Sequence, residues 1–140
     1  MGRINWARVS LGAVVCFVVS FILQILWGLV MEKRIMAAIP EELRQMMMSP
    51  AAMAVFVAFS LMVSFVAIWI YAAIRPRYGP GPRTAVVAGV MVWALTGVSA
   101  TVTHWSLRIM PSDLLAICLV WALVATVVAT MAGAWAYRES

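Results

Sequence analysis

Few side chains in this sequence could do chemistry, and each is placed where the options are narrow. His104 is the only histidine, in Thr101-Val102-Thr103-His104-Trp105. Its imidazole could serve as an axial ligand to a haem or a chlorophyll, which makes it the one cofactor-binding candidate; a hydrogen bond to a neighbour is the commoner use of such a residue. Zinc asks for three or four ligands, and the chain offers no others, so no metal site is expected. No serine or cysteine has a histidine and a carboxylate within plausible reach, as nucleophilic catalysis requires, and no glycine-rich phosphate loop occurs. No catalytic residue is assigned and an enzyme is not expected. Gln24 is the one large polar side chain well inside an apolar stretch, with Thr96 and Ser99 at similar depth as partners. Trp93 and Trp121 fall half-way along apolar stretches, where an indole N–H needs an acceptor. Together Gln24, Trp93, Thr96 and Trp121 are the candidates for a ligand pocket.

The elements that must position these groups follow from composition. Of 140 residues, 66% are hydrophobic and only 11% charged, against about a quarter charged in a soluble domain. So few charges cannot cover the surface of a soluble globule, and disorder needs the opposite composition. Stretches 9–31, 45–74, 84–107 and 114–137 lack Asp, Glu, Lys and Arg altogether. Each exceeds the roughly 20 residues that carry a helix across a ~30 Å hydrocarbon core. The sequence thus predicts an all-α, antiparallel four-helix bundle in a membrane. It forms one domain over 1–140, with helices at about 8–31, 50–74, 83–107 and 112–137.

The connections are punctuated. Ser49-Pro50 supplies a capping hydroxyl and a proline at the first helical position, and Tyr78-Gly79-Pro80-Gly81-Pro82 is a tight turn. Pro40-Glu41-Glu42 followed by Met46-Met47-Met48 predicts a short interfacial helix with its methionines toward lipid; an ordered loop is the alternative. Short connections make successive helices antiparallel neighbours.

One side of this layout collects Arg3, Arg8, Arg75, Arg77, Arg83 and Arg138, and the other Lys33, Arg34, Arg44 and Arg108. With Glu139 on the first side and Glu32, Glu41, Glu42 and Asp113 on the second, the formal +5 lies wholly on the first. The positive-inside rule then puts both termini in the cytoplasm of a multi-pass inner-membrane protein. Nucleic acid, the other partner of a basic chain, needs a soluble basic face and is excluded. Trp6, Trp69, Trp135, Tyr71, Tyr78 and Tyr137 form an aromatic belt on the cytoplasmic side, and Trp27 and Trp105 on the other. The first helix is too long for a signal peptide and lacks a cleavage site.

Small residues suggest how the helices pack. In the last helix Leu115, Cys118, Ala122, Ala125, Ala129, Ala132 and Ala136 recur at intervals of three and four, a seam for close left-handed packing. Leucine at Ala125 or Ala129 should overpack that seam, and leucine at Val120 or Val127 should be neutral. The first helix carries Gly12, Cys16, Ser20, Gln24 and Gly28 at intervals of four, suited to a crossing of the opposite hand. Gly89, Trp93 and Gly97 make a similar row. Cys16 and Cys118 differ in depth by about 10 Å, beyond the reach of a disulfide, and read as small buried hydrophobes.

Two echoes hint at a duplicated hairpin: Arg34-Ile35-Met36 with Arg108-Ile109-Met110, and Trp69-Ile70-Tyr71 with Trp135-Ala136-Tyr137. The opening Gly2-Arg3-Ile4-Asn5-Trp6, the stretch Tyr71-Ala72-Ala73-Ile74-Arg75-Pro76-Arg77-Tyr78-Gly79-Pro80-Gly81-Pro82 and the ending Ala132-Gly133-Ala134-Trp135-Ala136-Tyr137 give the chain its family likeness. It resembles the uncharacterised small four-helix integral membrane proteins of bacteria. The resemblance implies a fold and no activity, cofactor or site. Three functions fit: an accessory subunit packing against itself as a homo-oligomer or against a larger membrane complex, a small transporter or channel for an apolar or neutral solute, and a pigment- or haem-associated subunit using His104. A filled bundle centre favours the first, a polar-lined cavity the second.

Overall fold

A computed structural model describes residues 4–137; Gly2, Arg3, Arg138 and Glu139, used above for the family likeness and the charge count, lie outside the described residues. Helix α1, Trp6–Ala38, begins where the Asn5 side chain accepts from the Arg8 backbone N–H at 3.2 Å. It runs on past the expected end near residue 31, because Glu32, Lys33 and Arg34 end the apolar stretch but are good helix formers. At 33 residues and ~1.5 Å per residue, α1 outreaches the hydrocarbon, and it stops only before Pro40. Helix α2, Glu41–Met47, follows at once. Arg44 ties it back, donating to the Met36 carbonyl at 2.8 Å and pairing with Glu41 at 3.0 Å. Met46, Met47 and Met48 are exposed.

Ser49 caps helix α3, Pro50–Tyr78, accepting from Ala52 N–H at 3.2 Å. This helix also outruns its expected end near 74, since the missing N–H of Pro76 falls in its closing turn. Gly79 and Gly81, at φ 84° and 135°, take backbone conformations that suit glycine and turn the chain within the expected segment. The Thr84 hydroxyl donates to the Gly79 carbonyl at 2.7 Å across that turn. Helix α4, Pro82–Ser106, contains a π turn at Ala94–Val98. Helix α5, Ser112–Ala136, completes the chain. The four long helices are each apolar enough to span a membrane. The two hairpins differ: only the first carries a short helix in its connection, and only α4 holds a π turn.

Successive long helices pack antiparallel, and α5 closes the ring against α1. The start of α1, the Gly79–Gly81 turn and the end of α5 therefore share one end of the bundle. The bundle centre is solid at that end, where Val9, Ile68, Tyr71, Ala88, Ala129 and Tyr137 are buried together; a groove of about 290 Å³ lies at its side, lined by Tyr71, Ala85, Ala134 and Trp135 among others. Tyr71 and Tyr137 thus leave the expected belt. Their rings meet edge to face at 6.0 Å, Arg75 lies over the Tyr137 ring at 5.7 Å, and the Tyr71 hydroxyl accepts from the Gly81 N–H at 3.4 Å. Trp6, Trp69, Tyr78, Trp105 and Trp135 are exposed, as anchors are.

The tightest helix contact joins α1 to α5. A Cβ on Gly133 would lie 2.6 Å from the Gly12 carbonyl oxygen, and one on Gly12 would lie 2.8 Å from that of Gly133. Lipid cannot match such contact, and small residues permit it. On the other side of α5, a Cβ on Gly89 would come 2.9 Å from Val127 Cα. Val127 is therefore packed, not neutral as its place off the alanine seam suggested. At Gly28 an added Cβ meets nothing within 4 Å, so no close approach occurs there. Ala125 and Ala129 are buried, and Ala122 and Ala132 half-buried.

Candidate functional site

Away from the solid end the centre of the bundle opens into a cavity of about 200 Å³ that all four long helices line. Its polar lining is layered by helical spacing. Cys16 on α1, Ser64 on α3 and Thr130 on α5 form the floor, with the Ser64 and Thr130 side chains in hydrogen-bond reach of the Cys16 thiol. One helical turn further from the solid end stand Ser20, Ser60 and Thr126, each four residues along the same three helices. Gln24 sits a turn beyond, with exposed Phe56 and Phe59 also at the rim. Thr96 contributes from the π turn of α4. No Asp, Glu, Lys, Arg or His lines the cavity.

The hydroxyls fall into two kinds. Ser64 donates to the Ser60 carbonyl at 2.8 Å, Thr96 to Val92 at 2.8 Å and Thr130 to Thr126 at 2.7 Å. These are the back-bonds that Ser and Thr commonly make within a helix. Ser64 and Thr130 are 3% and 0% exposed, so their hydroxyls are satisfied within their own helices and close the floor. Ser20, Ser60, Thr126 and Gln24 line the same space on its open side. A single water needs on the order of 10–15 Å³ of such volume and two to four polar partners. Both conditions are met several times over.

The row on α1 that spacing presents as a packing stripe therefore divides by depth. Gly12 packs on Gly133, Cys16 does so too while lining the floor, Ser20 and Gln24 line the cavity, and a Cβ on Gly28 would meet nothing within 4 Å. Ala122, Ala125 and Ala129 also stand at the cavity wall, Ala125 and Ala129 with only 3% and 2% of their surface exposed.

Of the four pocket residues expected from sequence, Gln24 and Thr96 are brought together here, and Trp93 and Trp121 are not. The Trp93 indole donates to the Leu119 carbonyl of α5 at 3.0 Å and lies against Gly97, where a Cβ would come 2.8 Å from its Cδ1. The π turn begins at the residue after Trp93. π turns add a residue to a helical turn and are frequent at functional sites. Trp121 stacks on Trp27, centroids 4.9 Å apart and planes 10° apart. This pairs two half-buried rings, Trp27 of α1 with Trp121 of α5. The pair edges a shallow apolar groove with Ile117, Val120 and Val124.

His104 is half-buried one turn from the end of α4, and it does not line the cavity. Its Nδ1 lies 2.6 Å from the Ala100 carbonyl oxygen; a carbonyl only accepts, so Nδ1 carries a hydrogen and donates. Cys16 and Cys118 are unbridged. Among the described residues no group of three or more His, Cys, Asp and Glu could hold a metal ion.

Ser60, Ser64, Thr126 and Thr130 escape a reading that weighs polar residues one at a time. Their signal was present: polar residues four apart in three different helices, Cys16/Ser20/Gln24, Ser60/Ser64 and Thr126/Thr130. Comparison with protein-family profiles, with curated proteins and with solved structures found no match.

Proposed function

We propose that this four-span membrane protein is a non-enzymatic binding protein, taking up a small uncharged solute in its central cavity. The supporting observation is the cavity itself, ringed by hydroxyls from α1, α3, α4 and α5 with no charged group among them. A bundle built only to pack would fill its centre with apolar side chains, since a polar group in hydrocarbon without a partner costs about 1–3 kcal/mol or more. Water or a solute offsets that cost. An ion would meet no counter-charge. The closest small-residue contacts, Gly12 with Gly133 and Gly89 with Val127, are used within the chain. That weakens the case for an accessory subunit assembling through those faces.

Ligand-detected NMR on the protein in lipid nanodiscs tests this reading, with glycerol as the probe. Saturation transfer to glycerol should be lost in Thr126→Phe, whose ring fills the cavity. It should persist in Val128→Phe, whose side chain is exposed on the outer face. Equal transfer in both variants would overturn the reading.

The excess of Arg8, Arg75, Arg77 and Arg83 at the solid end supports, by the positive-inside rule, a cytoplasmic position for that end and both termini in a bacterial inner membrane. The cavity then extends toward the opposite face. Reporter fusions after residue 78 and at the C-terminus should signal cytoplasm, and one after residue 38 the other side. The reverse pattern would invert the orientation.

A further inference from the structure

The first half of α3 shows from where the cavity is reached, an inference that rests on the binding reading above. Residues 53–59 are exposed without a break. Such a run makes about two helical turns and so points to every side. Over it α3 stands off from the bundle, whereas Ser64, Ala67, Ile68 and Tyr71 further along are buried. The cavity is therefore open on both flanks of this stretch, toward α1 at exposed Gln24 and toward α4 at half-buried Thr96. Phe56 and Phe59 at the rim lie about 9 and 13 Å along α3 from Pro50, inside a stretch that is free of charge from residue 45. The mouth thus faces hydrocarbon, below the level of the headgroups, and the bilayer itself is the adjoining source of solute.

A second, wholly apolar groove of about 170 Å³ adjoins that mouth on the α4 flank, bordered by Met62 and Val66 of α3 and Leu95 of α4. Phe59 and Thr96 border both spaces. On the cavity side Ser20, Ser60 and Thr126 are half-buried, and among the described residues their hydroxyls have no hydrogen-bond partner. Each can donate and accept, which suits hydroxyls on a ligand. A phosphate, carboxylate or ammonium group would lose its hydration there without meeting a counter-charge. The surrounding lipid chains are as apolar as the groove, so the groove adds little attraction; it fixes where a chain lies once a head is seated. We infer that the cavity takes the head of a membrane-borne amphiphile entering beneath the free stretch of α3. The head is uncharged and carries hydroxyls, and its single acyl chain lies in the α3–α4 groove, as in the monoacylglycerol class.

Competition photolabelling of the full chain in phosphatidylcholine nanodiscs tests this, with a monoacylglycerol bearing a diazirine in its chain as the probe. Peptide mapping should place the label on segments 59–66 and 92–96. Unlabelled 1-monooleoylglycerol should displace the probe about tenfold more effectively than methyl oleate, whose head lacks the two hydroxyls and their hydrogen bonds. Oleoyl lysophosphatidylcholine should not displace it. The double variant Ser60→Ala/Thr126→Val should bring monooleoylglycerol down to the methyl oleate level, and its thermal midpoint checks that it still folds. Leu95→Trp, at an exposed position, should obstruct the groove and reduce labelling while saturation transfer to glycerol persists. Label spread over every lipid-facing helix and displaced by none of the three would mark ordinary boundary lipid and overturn the inference. Equal displacement by methyl oleate, or stronger displacement by the lysolipid, would overturn it too. In each of these cases the binding reading stands if Thr126→Phe still removes the glycerol signal; if it does not, both fail.

Discussion

Gly133→Ala should be the most damaging single-methyl change in the protein. The new Cβ would lie 2.6 Å from the Gly12 carbonyl oxygen, 2.6 Å from Ile68 Cδ1 and 2.8 Å from Cys16 Cβ. The Ile68 methyl belongs to a flexible side chain, but Ile68 is fully buried and has nowhere to turn. The Gly12 oxygen is backbone, so relief requires α1 and α5 to separate. Overpacking typically costs about 1–3 kcal/mol and occasionally more; with a backbone clash and two side-chain clashes together the upper end is expected. Gly28→Ala is the control, since its Cβ meets nothing within 4 Å and alanine is favoured over glycine in a helix by about 1 kcal/mol. Denaturation in detergent should therefore show a large loss of stability for Gly133→Ala and none for Gly28→Ala. Equal midpoints would mean that α1 and α5 do not meet at these glycines.

Ala125→Leu should cost both stability and the site. Ala125 is 3% exposed, and by spacing alone a leucine there overpacks a helix seam. It stands at the wall of the cavity of about 200 Å³ with almost no surface open to it. The added carbons therefore press on neighbours, at a cost of about 1–3 kcal/mol, and glycerol binding should weaken with them. A variant as stable as the parent would show that Ala125 borders open space instead of a packed neighbour.

Much of the fold is legible in the sequence because charge is a clean marker in so apolar a chain. All four spans, the capped start at Ser49, the glycine turn and the short helix after Pro40 are found where the residues place them. The helix ends are less legible, and for one reason: Glu32 to Arg34 and Arg75 to Arg77 mark where the hydrocarbon stops, which is not where the backbone hydrogen bonds stop. Tyr71 and Tyr137 illustrate a second limit. Depth along a helix can be counted, but the face a side chain occupies depends on how the helices are rotated in the bundle. Here that rotation is tied to the meeting of Gly12 with Gly133, which no single helix encodes. The same limit separates Trp121 from the cavity it matches in depth and turns it onto Trp27. Gln24 and Thr96 are recognisable as isolated polar residues in apolar helices, whereas the serines and threonines beside them blend into helices that tolerate such residues anywhere. Only their shared four-residue spacing across three helices gives the cavity away.

Water access at Ser60 decides most directly whether the bundle centre is a solvated binding site. Ser60 lines the cavity, and Met62, two residues on at nearly the same depth, is exposed on the outer face of α3. A cysteine reacts as the thiolate, which forms only where water reaches it, so a water-soluble thiosulfonate should modify Ser60→Cys about tenfold faster or more than Met62→Cys in nanodiscs. Peptide mapping separates the engineered thiol from Cys16 and Cys118. A dry, filled centre would leave Ser60→Cys as slow as Met62→Cys, and that result would contradict the binding site proposed for this protein.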